Sequence, residues 1–222
     1  MPAFIFALIL VLSVVLGEPR ANAGGADQMF QALAATNTTK CERGAHGRVE
    51  AIKKLMDQGR SLRPDHEMTM LRDVTRFFYR NISVMDDRQV WGWADYWASP
   101  METLCAGAGD SEDFAIAKYY TLLAMGVPES QMRIVYAQST WVGPVMVLLY
   151  TTTHGQRIVL YNDRMWTLNT VMSRHLLQPV YAFDEDAFWL ANAGWTFARL
   201  DGAKKIEQWN RVLHDMSSGG EG

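Results

Sequence analysis

The chain has 222 residues, with 21 Lys and Arg against 24 Asp and Glu, and 49% of its residues are hydrophobic. This composition is that of a globular protein and excludes a disordered or fibrous chain. A chain of this length buries roughly 70% of the surface that its unfolded form exposes, so we expect one domain. The net charge is −3 and the sequence has no block of Lys and Arg. Binding to a phosphate backbone needs a positively charged surface, so no nucleic-acid partner is expected.

The N-terminal residues predict export. Residues 3–16 form a nearly unbroken apolar run, and small residues follow up to Ala23. This order is typical of a secretory signal, so we predict a signal peptide over residues 1–23 and a periplasmic or secreted mature protein. Because no Lys or Arg precedes the run, an uncleaved anchor is the alternative. No other stretch reaches the ~20 apolar residues of a membrane span, so none is expected after cleavage.

Cys41 and Cys105 are the two cysteines of the chain. In an oxidising compartment a bridge between them would close a loop of about 65 residues and stabilise the fold by roughly 4 kcal/mol. Two buried free thiols are the alternative. We predict an N-terminal arm over residues 24–44 and a single domain over residues 45–222.

The apolar spacing predicts helices first and strands afterwards. Helical spacing is found over residues 48–58, 65–79 and 110–125. Gly59 is expected to close the first helix, and Pro64 suits the first turn of the second. Residues rich in Val, Ile, Leu and Tyr predict strands over 133–138, 145–150 and 157–160, with a turn at 153–156.

The C-terminal third adds weaker signals. The apolar runs 180–183 and 195–200 are candidates for further strands, and Asp201 is expected to cap a final helix. The inward face of that helix is predicted to consist of Ile206, Trp209 and Leu213. Helices followed by antiparallel strands indicate an α+β fold.

The segment from Gly107 to Asp113 holds the densest group of acids. A glycine-containing loop leads into a helix that begins Asp110-Ser111-Glu112-Asp113. Carboxylates are favoured at a helix N-terminus by its free N–H groups and its dipole, and Asp113 is spaced to pair with Asp110 as in a capping box. Helix capping alone therefore accounts for these acids.

Two longer runs carry a family resemblance. They are Trp97-Ala98-Ser99-Pro100-Met101-Glu102 and GAGDSEDFAIAKYYTLLAMGVP, the latter from Gly107 to Pro128. With the strand segments that follow, this sequence resembles the bacterial transglutaminase-like cysteine proteinases, the LapG-like family, from about residue 45 to 190. The resemblance implies a papain/transglutaminase-like α+β fold in which a central helix packs on an antiparallel sheet.

The three catalytic positions of that family are replaced in this chain. The resemblance aligns Ser111 with the family's nucleophilic Cys, Val145 with its His and Tyr161 with its Asp. A serine hydroxyl is a weak nucleophile unless a base accepts its proton. We therefore predict a catalytically degenerate protein, a pseudoenzyme, with no catalytic residue at these positions.

A rebuilt active site is the enzymatic alternative. His154 lies nine residues past Val145, roughly 30 Å along an extended strand, and is assigned to a turn. His175 is the remaining candidate base for Ser111, and Asp163 would share a strand face with Tyr161. Cys105 has no neighbouring His in the sequence and is assigned a structural role.

The acids around Ser111 match the positions that bind calcium in the family. The resemblance implies a Ca²⁺ site formed by Asp110, Glu112 and Asp113. Calcium takes six to eight oxygen ligands, so backbone carbonyls and water would complete the shell. Plain helix capping remains the alternative.

The resemblance also implies a protein partner. The aromatic segment 90–100 is interpreted as core or groove wall rather than as a cofactor site, and we predict Trp97 and Trp141 as partner contacts. The implied partners are a LapD-like cyclic-di-GMP receptor, a surface adhesin held without cleavage, or an active paralogue, in biofilm, adhesin or exopolysaccharide regulation. A structural accessory of an envelope assembly, docked through residues 24–44, is a further alternative.

Overall fold

The computed structural model describes residues 41–62, 66–161, 168–169, 173, 175–200 and 206–217. The predictions for the signal peptide, most of the N-terminal arm, Pro64, Asp163 and Asp201 concern residues outside these ranges. Within the described ranges, no helix combines the length and apolar character that crossing a bilayer requires.

The helices of the described chain precede and follow a large sheet. They are α1 (Ala45–Arg60), α2 (Glu67–Asn81), α3 (Asp87–Val90), α4 (Pro100–Ala106), α5 (Ser111–Ala124) and α6 (Glu207–Ser217). The 3₁₀ turn Glu129–Gln131 leads from α5 into the sheet.

The strands form a two-stranded pair and a seven-stranded sheet. The pair joins β1 (Ser83–Val84) and β2 (Ala108–Gly109) in parallel. The large sheet consists of β3 (Met132–Ser139), β4 (Gly143–Thr151), β5 (Arg157–Leu160), β6 (Leu168–Asn169), β7 (Leu177–Phe183), β8 (Phe188–Ala191) and β9 (Phe197–Arg199). Its strand order is β6-β5-β4-β3-β7-β8-β9, with every neighbouring pair antiparallel.

Alternate residues of β4 supply two separate apolar clusters. Met146, Leu148 and Tyr150 belong to the first cluster, which contains the buried side of α5, α1 and α2. Val145 and Val147 belong to the second cluster. Because successive strand residues point to opposite faces, the first cluster lies between sheet and helices and the second lies on the other face.

Helix α5 is the centre of the fold. Every residue from Asp113 to Ala124 is buried, as expected for a helix that is apolar around its whole circumference. Helices α1, α2 and α4 and strands β3 and β4 all contact it. This packing fixes the position of its N-terminus, where the predicted site lies.

A disulfide bond links Cys41 to Cys105. It joins Cys41, four residues before α1, to the last turn of α4, and Arg48 reinforces this junction by donating from Nε to Leu104 O at 2.7 Å. Of the two alternatives for the cysteines, the structure therefore contains the bridge.

The α+β prediction is confirmed, and the predicted helices and strands are present with small changes of boundary. The prediction for Gly59 is wrong, because this residue lies inside α1 and a Cβ there would stand 2.6 Å from the Met125 side chain. Glycine permits the close approach of α1 to the end of α5. The inward face of α6 is confirmed: Trp209 is buried, and Ile206 and Leu213 pack against the first cluster.

Candidate functional site

The N-terminus of α5 is reached through a tightly packed glycine segment. Gly107 ends α4 with φ of 68°, and a Cβ at this position would stand 2.6 Å from the Arg48 guanidinium. At Gly109 a Cβ would stand 2.5 Å from Asp113 Oδ2. These two glycines let the chain turn and pass close to its neighbours, which places Asp110 directly at the start of α5.

Asp113 holds the surrounding backbone together. Its Oδ1 accepts the Ala98 N–H at 2.7 Å, and its Oδ2 accepts the Asp110 N–H at 3.3 Å. Burial raises the pKa of Asp113 to about 7, although the Ala98 hydrogen bond opposes this shift. Asp113 is therefore a buried anchor for two loops.

Three other carboxylates form the compact acidic group of the described chain. One oxygen each from Asp87, Asp110 and Glu112 lies within 4.8 Å of the other two. The predicted set was Asp110, Glu112 and Asp113, so the structure keeps the first two and brings Asp87 to them. Asp87 arrives through the parallel pairing of β1 with β2, which places the start of α3 beside the start of α5.

Two oxygens of this acidic group are buried without a hydrogen-bond partner, namely Asp87 Oδ1 and Asp110 Oδ1. The other oxygen of Asp87 accepts the Tyr96 N–H at 2.6 Å. Burial raises the pKa of Asp87 to about 6, and burial with the neighbouring charge of Glu112 raises the pKa of Asp110 to about 9. Unpaired, crowded carboxylate oxygens are the donors that a hard divalent cation takes, so these residues fit Ca²⁺.

The Ser111 hydroxyl lies at the first position of α5 and is engaged by its neighbours. It donates to Glu112 Oε2 at 2.9 Å and accepts the Met146 N–H at 3.0 Å. His154 lies in the turn after β4 and is exposed, and the exposed His175 lies just before β7.

Val145 and Tyr161 meet in the second apolar cluster. Val145 is buried there, and the partly buried Tyr161 packs against the same group. This cluster lies on the face of the sheet away from α5, so Val145 does not face Ser111, contrary to its alignment with the family's His. The backbone amide that reaches Ser111 from β4 belongs to Met146, the next residue.

Sequence reasoning missed Lys118. Its side chain is fully buried, and Nζ donates to Tyr161 O at 2.9 Å. Lys118 lies seven residues after Ser111, so both project from one face of α5. A lysine at that spacing in an otherwise apolar helix was the available signal.

The two predicted partner contacts have opposite environments. Trp97 is 5% exposed and stacks on Phe183 with ring centroids 5.7 Å apart, which corrects its prediction as a partner contact: it is a core residue. Trp141, in the turn between β3 and β4, is 73% exposed, and Val142 beside it is 66% exposed. Trp93, which belongs to the aromatic segment 90–100 and was not predicted as a partner contact, is 68% exposed.

A central helix with its N-terminus against an antiparallel sheet, a nucleophile position at its first residue and acids around it define the papain/transglutaminase-like class. The sequence model of the bacterial transglutaminase-like cysteine proteinases, BTLCP, matches residues 38–173. The chain belongs to this family, which confirms the resemblance.

Solved structures of the family are similar over most of the chain. Calcium-bound LapG of Legionella pneumophila is 30% identical, with a TM-score of 0.66, and the match covers 87% of this chain and 99% of that one. EGTA-treated LapG of the same organism is 29% identical with the same TM-score, covering 87% and 97%. No curated protein matches the sequence.

Proposed function

We propose that this protein is a catalytically degenerate, LapG-like member of its family that acts in the periplasm by binding a protein partner. The observation that carries the proposal is the surroundings of the Ser111 hydroxyl. This hydroxyl donates to Glu112 and accepts the N–H of Met146, the β4 residue on the α5 side of the sheet. Peptide hydrolysis by serine needs a base that accepts the hydroxyl proton, and neither Met146 nor Val145 replaces an imidazole in that role.

We further propose that the site holds Ca²⁺ through Asp87, Asp110 and Glu112. The support is the pair of buried, unpaired oxygens on the two aspartates together with the convergence of the three side chains. A calcium-bound structure exists for the similar LapG. When bound, the cation would supply the positive charge that these crowded carboxylates lack.

The partner surface that we propose is an exposed apolar rim made of Val84, Trp93, Trp141 and Val142. Each is at least 64% exposed. Val84 pairs through β1 with Gly109, next to Asp110, and Trp93 follows Asp87 by six residues. The turn carrying Trp141 and Val142 opens β4, whose Met146 reaches Ser111. The candidate partners are an adhesin, a LapD-like receptor or an active paralogue.

A labelling experiment tests the loss of catalysis. The purified protein is treated with a serine-directed phosphonate and, separately, incubated with an adhesin fragment, with an active LapG as the positive control for cleavage. We expect neither labelling nor cleavage. Labelling of Ser111 together with cleavage, both abolished by Ser111→Ala, would instead establish a rebuilt hydrolase.

A capture experiment tests the rim. Immobilised wild-type protein, Trp141→Ser and the control Tyr79→Ser are compared for binding of each purified candidate partner. Tyr79 is a matched control because it is an aromatic residue on α2 that is 46% exposed. We expect Trp141→Ser alone to reduce binding at least tenfold, as for an exposed aromatic that becomes buried in an interface. Equal binding by all three proteins contradicts the rim.

A further inference from the structure

Residues 95–98 lie against the acidic site and are held there by its carboxylates. The Tyr96 N–H donates to Asp87 Oδ2 at 2.6 Å, and the Ala98 N–H donates to Asp113 Oδ1 at 2.7 Å. The first of these bonds fixes one oxygen of Asp87, and the other oxygen, Oδ1, is the buried atom without a partner. The position of residues 95–98 therefore determines how Asp87 presents its open oxygen.

The first three of these residues are also held by α6, the C-terminal helix. Arg211 Nη2 donates to Trp97 O at 2.9 Å, and its guanidinium carbon lies 3.9 Å from the centroid of the Tyr96 ring. One turn earlier, Gln208 Nε2 donates to Asp95 Oδ2 at 3.0 Å. Three consecutive residues, 95 to 97, thus each contact α6.

The helix that makes these contacts is itself anchored. Trp209 is 2% exposed and donates from Nε1 to Asp184 O at 3.1 Å, and Val212 and Met216 are buried in the first cluster. Arg211 therefore projects from a fixed support. A planar guanidinium that stacks on a ring and donates to a carbonyl at once holds its target in both position and orientation.

We infer that Arg211 is a positioning residue for the cation site and that docking of α6 and occupation of the site strengthen each other. This inference rests on the calcium part of the proposed function. If α6 holds residues 95–98 in the arrangement that orients Asp87, cation affinity falls when the contact is lost. Linkage then requires the cation to hold α6 in place by the same factor.

The sign of the effect separates positioning from simple charge. Removing a positive charge from the neighbourhood of three carboxylates favours cation binding by Coulomb's law. Loss of positioning weakens binding. A variant that lacks the Arg211 charge and binds Ca²⁺ less tightly therefore reports positioning, because electrostatics alone predicts the opposite change.

The experiment titrates Ca²⁺ into chelator-stripped full-length protein by calorimetry. Wild type, Arg211→Met, Arg211→Lys and the control Arg76→Met are compared; Arg76 is an exposed arginine on α2 that pairs with Asp73. We expect Arg211→Met to weaken Ca²⁺ binding about tenfold, Arg211→Lys to recover part of the loss, and Arg76→Met to behave as wild type. Hydrogen exchange of the Tyr96 and Ala98 amides should slow on Ca²⁺ addition in wild type and less so in Arg211→Met.

The outcomes distinguish the two levels of the proposal. Calcium binding by wild type with unchanged affinity in a folded Arg211→Met overturns the inference and leaves the proposed site intact. Absence of calcium binding by wild type overturns the proposed site and this inference together. If Arg211→Met does not fold, Gln208→Ala is measured in its place, and we expect its Ca²⁺ affinity to be about threefold weaker. Unchanged Ca²⁺ affinity in Gln208→Ala overturns the inference.

Discussion

The starts of α4 and α5 use the same capping chemistry with different outcomes. At α4, Ser99 Oγ accepts the Glu102 N–H at 3.3 Å and Glu102 Oε2 accepts the Ser99 N–H at 2.7 Å. The remaining oxygen, Glu102 Oε1, accepts the Tyr96 hydroxyl at 2.6 Å. One carboxylate is enough for this helix start, and both of its oxygens are paired.

The start of α5 contains more acid than capping uses. Asp113 takes the place of Glu102, and both of its oxygens accept backbone N–H groups. Asp110 takes the place of Ser99 as the N-cap residue, whereas Glu112 and Asp87 have no counterpart at α4. One oxygen of Asp110 and one of Asp87 are buried without hydrogen-bond partners. Buried polar atoms without partners cost free energy, so the excess indicates a role other than starting the helix.

Removal of the Asp113 carboxylate should have the largest effect on stability. Asp113→Ala leaves the N–H groups of Ala98 and Asp110 unpaired in the interior, and we expect a loss of about 3 kcal/mol in the free energy of unfolding. Urea unfolding of the variant and the wild type measures this loss of stability. The matched variant Glu102→Ala, at the more exposed start of α4, should cost about 1 kcal/mol. Equal losses would remove the distinction between a buried anchor and an ordinary cap.

Calcium should stabilise the protein through the acids at α5 and not through the acid at α4. At a free Ca²⁺ concentration one hundred times Kd, we expect about 2.7 kcal/mol of added stability, seen as a rise in Tm relative to EGTA. Asp87→Asn and Asp110→Asn should each reduce the rise, whereas Glu102→Gln should keep it. An equal Ca²⁺-induced rise in Tm in all variants would show that Ca²⁺ binds elsewhere in the protein.

Without metal, the acids of α5 should make the protein less stable as the pH rises. The pKa values of Asp87, Asp113 and Asp110 are raised by burial to about 6, about 7 and about 9, so the folded state binds more protons than the unfolded state above pH 4. Stability therefore falls from about pH 4 up to these values. In EGTA we expect Tm to fall steadily between pH 5 and pH 8, as measured by thermal unfolding at a series of pH values.

The variant Asp110→Asn tests the origin of that slope. It removes the group with the highest raised pKa and relieves the repulsion on Asp87 and Glu112, so its Tm should change less with pH. An unchanged slope would place the titrating groups elsewhere in the chain.

The difference between the two helix starts also shows what the sequence could predict. The start of α5 was predictable, because Asp110 and Asp113 have capping spacing before a long apolar helix. The start of α4 carries the related signature Ser-x-x-Glu in Ser99 and Glu102, so a helix there was equally predictable.

Tertiary pairing explains what the sequence could not supply. Asp87 lies 23 residues before Asp110 and reaches it only because β1 pairs with β2, a contact between two-residue strands with no periodicity to detect. The burial of Trp97 follows from its stacking on Phe183, a strand residue 86 positions later. Apolar spacing predicted the helices and strands, whereas the presence of Asp87 in the acidic group and the exposed part of the aromatic segment depend on long-range contacts.

The smallest expected effect on stability is that of replacing Ser99, the N-cap residue of α4. Ser99→Ala removes the hydroxyl that accepts the Glu102 N–H. An N-cap serine contributes about 1 kcal/mol to the free energy of unfolding. Urea unfolding should show that loss, while the Tm rise produced by Ca²⁺ should equal that of wild type. Capping and cation binding would then be separate properties of neighbouring helix starts. A reduced calcium response in Ser99→Ala would instead mean that α4 transmits its position to Asp113 through Ala98, the adjoining residue, and that the two starts act as one unit.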